Sequence, residues 1–84
     1  MKTIRLSGHV QEQLPRRGVT EDEIVAAIRG AEWQASDHGR LECRLEFAFA
    51  NVWNKKFYKT KQVRPIFVDE ATEIVVITVY SYFY

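Results

Sequence analysis

The spacing of apolar residues changes period once along this chain, near Arg40, and that change limits what the chain can fold into. Before it, Ile24, Ala27, Ile28 and Ala31 recur at three- and four-residue intervals and form one stripe of a helix. After it, Leu41, Cys43, Leu45, Phe47 and Phe49 alternate with Arg40, Glu42, Arg44, Glu46 and Ala48, the period of a strand with one wet face. A second strand is expected from Gln62 to Val68, with Pro65 marking an edge or a bulge. After a turn at Asp69–Glu73, Ile74 to Tyr80 runs apolar almost throughout, as in a central strand covered on both faces. Lys2 to Leu6 has the length of a short edge strand. The expected class is α+β, with two N-terminal helices packed on a three- to four-stranded antiparallel sheet.

Both helices carry end signals. Ser7 suits an N-cap for a helix beginning at Gly8 or His9, and Val10 and Leu14 give that helix an apolar stripe. His9, Gln13, Arg16 and Arg17 share a face on a 3.6-residue period, although Pro15 should kink or end the helix near Leu14. Thr20 and Glu23 make a capping box for the second helix, Glu21 and Asp22 suit its dipole, and Gly30 can close it. The expected core is Leu14, Ile24, Ile28, Leu41, Cys43, Leu45, Phe47, Val76 and Ile77.

A chain of 84 residues is one domain, here 1–84, and 46% hydrophobic content is ample for a core. A lone cysteine, Cys43, forms no internal disulfide and fits a reducing compartment. No apolar run reaches the roughly 18 residues of a membrane helix, and no apolar segment follows Met1–Arg5. The expectation is a soluble, cytoplasmic protein without membrane contact. The formal net charge of +1 conceals an asymmetry. Lys55, Lys56, Lys59, Lys61 and Arg64 lie in a stretch without anions, while the remaining seven cations face all 11 Asp and Glu. A basic segment on a mildly acidic body points to a local anionic partner.

Several residues could carry chemistry, each with a plainer reading beside it. His9 sits in the first helical turn, where the helix dipole favours a neutral imidazole able to act as a base, or where it simply closes a helix end. Arg16 and Arg17 suit a phosphate clamp or a solvated turn. Gly18 after them permits the positive φ of a tight reversal. Trp53, Phe57 and Tyr58 interleave with Lys55, Lys56, Lys59 and Lys61, as in single-strand nucleic-acid binding, or form a hairpin whose aromatics pack inward. Thr78 and Tyr80 leave one face of a strand, where a tyrosine hydroxyl can serve a phosphate or merely fill the sheet. His38 reads as a loop residue and Cys43 as core. Metal-ligand spacing and a glycine-rich phosphate loop are both lacking.

The pattern of His9, then Arg17-Gly18-Val19-Thr20-x-x-Glu23-Ile24, then a closing Ile74-Val75-Val76-Ile77-Thr78-Val79-Tyr80 strand, resembles a small uncharacterised prokaryotic family. That family has an S-x-H helix, an R-G-I-(S/T)-x-x-E-(I/V) segment and a final V-V-T-V-Y strand. It is grouped with the RelE/ParE and BrnT-like toxins, in the barnase–EndoU–colicin–RelE assemblage of metal-independent ribonucleases. The resemblance implies a RelE-like fold, RNA cleavage without a cofactor, and a cognate antitoxin protein. It makes His9, Arg17, Thr78 and Tyr80 the candidate catalytic site. Arg16, Trp53, Lys55, Lys56, Tyr58, Lys59, Lys61 and Arg64 then hold RNA. On this reading His9 takes the proton of the ribose 2′-hydroxyl, Arg17 or Arg16 stabilises the pentacovalent phosphate, and Tyr80 assists the leaving group. The alternative is a non-catalytic RNA- or protein-binding module of the same fold, a homodimer through the aromatic tail Tyr80 to Tyr84.

Overall fold

Ser7 closes the front of the first helix by accepting the Val10 N–H on its Oγ. In the computed structural model, which describes residues 1–84, that helix is α1 (Gly8–Arg17), and it follows strand β1 (Thr3–Leu6) directly. Pro15 lies inside α1 and does not end it at Leu14. Its missing N–H falls in the last turn, where one lost bond is tolerable. Gly18 then stops the helix at φ +64°, and its N–H bonds the Leu14 carbonyl. Helix α2 (Glu21–Gly30) has both halves of its capping box: the Thr20 hydroxyl accepts from Glu23 N, and the Glu23 carboxylate accepts from Thr20 N. The strands that follow are β2 (Gln34–Ala35), β3 (Leu41–Glu42), β4 (Leu45–Trp53), β5 (Lys56–Asp69) and β6 (Glu73–Phe83).

The sheet corrects the expected architecture. Six strands, not three or four, run in the order β1-β6-β5-β3-β2, with β4 also pairing β5, and the sheet is mixed because β1 lies parallel to β6. A parallel partner some 70 residues away leaves no local trace, and β2 and β3 are too short to display a period. Strand β5 begins six residues earlier than Gln62, since the basic run folds as the β4–β5 hairpin. Pro65 sits inside this strand. Its donorless nitrogen faces the break between β3 and β4, where Cys43 N donates to the Pro65 carbonyl.

Both helices pack on one face. Val10, Ile24, Ala27 and Ile28 meet Val63, Phe67, Ile74, Val76 and Val79, alternate residues of β5 and β6. Strand β6 is therefore covered by helices on one face, not both, and Thr78 and Tyr80 remain half-buried on the other. A bulge between Ile66 and Phe67 in the pairing turns Ile77 out of the core predicted for it. Leu14, Leu41, Leu45 and Phe47 rim the core rather than fill it, while Cys43 is enclosed and burial pushes its thiol up to about 11.

Where β1 ends, α1 takes over the exposed edge of β6. Ser7 N donates to the Val76 carbonyl and Ser7 Oγ to that of Ile77. Gln13 Oε1 accepts from Val79 N and Thr78 Oγ1, each at 3.0 Å, and Ser81 Oγ donates to the Arg17 carbonyl at 2.6 Å. A helix thus serves as the next strand. This clamp fixes α1 along β6 and sets the position of every candidate on it.

Candidate functional site

Arg17, at the end of α1, is carried round the sheet edge onto Tyr80. Its guanidinium carbon stands 5.4 Å from the ring centroid, and that of Arg64, cross-strand from Tyr80, stands at the same distance. Two cations on one ring attract its π face electrostatically. Arg64 is fully committed: Nε and Nη2 donate to the two Glu42 oxygens at 2.8 and 2.9 Å, and Nη1 to Tyr82 Oη at 3.3 Å. The pair holds the Glu42 carboxyl below its ordinary range, chiefly through the Arg64 hydrogen bonds, and raises Arg64 in turn. Arg17 is in no ion pair with a carboxylate.

Beside this patch a cleft of about 250 Å³ opens between the Ser36–Arg40 turn and Arg64, Thr78 and Tyr80. The turn is tight, with Ser36 N bonded to the Arg40 carbonyl and Arg40 N to that of Asp37. It contributes His38 and Arg40 to the cleft wall. Sequence reasoning took His38 for a loop residue and passed over Arg40 and Glu42. The one available signal was the turn-forming Asp37-His38-Gly39 with charged neighbours. A larger depression of about 550 Å³ lies beside Ile28, Trp33 and Ile74, with the Lys2–Asp69 ion pair among its lining. Its walls are mainly apolar and offer no imidazole or phenol for proton transfer.

The other sequence candidates scatter. His9 is exposed in the first turn of α1, eight residues or about 12 Å along the axis from Arg17. The clamp runs α1 in the direction of β6, so its C-terminal end, not its N-terminal half, approaches Tyr80. Arg16 is exposed beside Arg17. Trp53 and Tyr58 pack inward against Phe83, Trp53 stacked at 5.2 Å and Tyr58 tilted at 5.7 Å, and the Trp53 indole lies over Gly18. Lys61 is 6% exposed, bonds the Gly18 carbonyl and pairs with Glu23 at 2.7 Å. Of the five cations in the basic run, Lys61 and Arg64 are thus consumed internally, leaving Lys55, Lys56 and Lys59 exposed on the hairpin. Thr78 donates its hydroxyl proton to Gln13, so it orients α1 rather than facing a ligand as a donor. In the aromatic tail, Phe83 is packed inside the cluster, while Tyr82 and Tyr84 are 40% and 54% exposed.

Nowhere are three His, Cys, Asp or Glu side chains gathered to hold a metal ion. No helix is long and apolar enough to cross a membrane. Comparison with protein-family models, curated proteins and solved structures yields no match.

Proposed function

We propose that this chain cleaves RNA without a metal ion, in the manner of a toxin-type endoribonuclease, at the Tyr80 patch. The observation that carries the reading is Arg17: a guanidinium with no carboxylate partner, seated on Tyr80 by an α1 whose register Gln13 and Ser81 fix. A fixed, unneutralised guanidinium meets phosphate oxygens bidentately and stabilises charge that develops on them. Tyr80 Oη supplies a weak acid for the departing 5′-oxygen. Arg64, pinned by Glu42, holds the Tyr80 ring from the neighbouring strand. Lys55, Lys56 and Lys59 on the hairpin attract the flanking backbone, about 26 Å along β5 from Arg64 to Lys56. An activity of this kind brings with it an inhibitory antitoxin partner.

The test is incubation with an end-labelled oligoribonucleotide in excess chelator, reading for 2′,3′-cyclic phosphate ends. Arg17→Ala should reduce the rate by about 10²–10³-fold, the usual loss for one such donor. If the unaltered protein cleaves no RNA, the reading is wrong. The internal pairing of Lys61 and Arg64 favours a second reading, a non-catalytic binding module that dimerises through the exposed Tyr82 and Tyr84. RNA binding without cleavage, by a dimer that Tyr84→Ala dissociates, would establish it.

A further inference from the structure

We infer that His38, not His9, is the imidazole that serves this site, and that the cleft beside Tyr80 takes one ribose–phosphate unit of single-stranded RNA. The inference rests on the RNA-cleaving reading. A base must reach the proton it removes within hydrogen-bond distance or through one water. His9 is held about 12 Å from Arg17 along a helix whose register four side-chain bonds to β6 fix. His38 lines the same cleft as Tyr80, Thr78 and Arg64.

The backbone holds His38 there in an unusual way. His38 and Gly39 both have positive φ, at +60° and +72°, so the turn folds back on itself. Non-glycine residues adopt that conformation uncommonly and at a cost. The turn is also tied down from below. It joins β2 to β3, where Gln34 pairs with Glu42, and Arg64 grips the Glu42 carboxylate, so the turn is anchored to the strand that carries the Arg64–Tyr80 pair.

Size and charge select the ligand. About 250 Å³ is less than the roughly 300–1,000 Å³ that encloses a drug-sized molecule, so the cleft holds a piece of a chain. Of the charged residues that line it, Arg40 and Arg64 face Asp37, an excess of one positive charge, and Arg40 is in no ion pair. That balance suits a monoanionic phosphodiester. In the step, His38 takes the 2′-hydroxyl proton and the 2′-oxygen bonds to phosphorus. The P–O5′ bond breaks, and the 5′-oxygen takes the Tyr80 hydroxyl proton. The products are a 2′,3′-cyclic phosphate and a 5′-hydroxyl, and water carries the proton from imidazolium back to tyrosinate.

The test is His38→Gly, because glycine accepts the positive φ without strain and leaves room for a free imidazole. On an oligonucleotide with a single ribose among deoxyriboses, His38→Gly should lose about 10²–10⁴-fold in cleavage rate. Added imidazole should restore it in proportion to concentration, which a merely structural loss would not permit. His9→Ala should stay within twofold of the parent. If His9→Ala abolishes cleavage while His38→Gly retains it, or if imidazole rescues nothing, the assignment of His38 is overturned and RNA cleavage itself stands. No cleavage by the parent protein removes both.

Discussion

Truncating Gln13 to alanine should be the most damaging single change on the surface of α1. Its Oε1 is the acceptor for Val79 N and Thr78 Oγ1, each at 3.0 Å, in the stretch of β6 that β1 does not reach. Gln13 is 7% exposed and Val79 fully enclosed, so water does not replace the lost acceptor. A buried N–H left unsatisfied costs about 1–3 kcal/mol, and the hydroxyl bond adds about 1 kcal/mol. Freed side-chain entropy returns up to about 1.5 kcal/mol. At the middle of these ranges the net is about 2 kcal/mol, against a total stability of about 4–13 kcal/mol for a chain of this length. The melting temperature should then fall by about 8–16 °C. Thr78→Val removes only the hydroxyl bond and should cost about 1 kcal/mol, so the difference between the two variants reports the Val79 amide. Urea unfolding followed by tryptophan fluorescence gives both values, and amide exchange reads Val79 directly. If Gln13→Ala costs less than about 1 kcal/mol, or leaves Val79 protected, then α1 is not the partner of that edge.

Gly18→Ala should destabilise by about 2–3 kcal/mol, about 1–2 of it from φ +64° and the rest from a Cβ that would meet the Trp53 ring at 2.9 Å. Gly39→Ala, at φ +72° with open space around it, should show the backbone part alone, and equal losses in thermal melts would deny the Trp53 contact. Because Arg64 holds Glu42 below its ordinary value of 4.5, the stability this pair lends is full above that pH and lost as pH falls through the lowered value. Glu42→Gln should therefore flatten the stability–pH curve below about pH 4.5, and an unchanged acid limb would contradict the pairing. Neutralising Lys55, Lys56 and Lys59 together should reduce the slope of log binding constant against log salt by roughly 0.7 per lost contact with a single strand. An unchanged slope would mean that the hairpin lysines only keep an edge soluble.

Local signals in the chain determined what depends on neighbours within a few positions. The Thr20–Glu23 box, the left-handed Gly18 and the Ser7 cap all act within one helical turn, so both helices and the α+β class were legible in the residues alone. So was the common face of Thr78 and Tyr80, since two residues of one strand share a side whatever pairs with them. Tertiary structure decided everything that required distant partners. The parallel union of β1 with β6 joins residues about 70 apart, and a four-residue strand carries no mark of its mate. Gln13 became a surrogate strand, Lys61 an internal ion pair, and Trp53 and Tyr58 packing residues, because each met a group from another element. The same holds for the cleft. Its imidazole comes from a turn and its phenol from the last strand, the guanidinium seated on that phenol comes from the first helix, and only the folded sheet brings three such remote segments together.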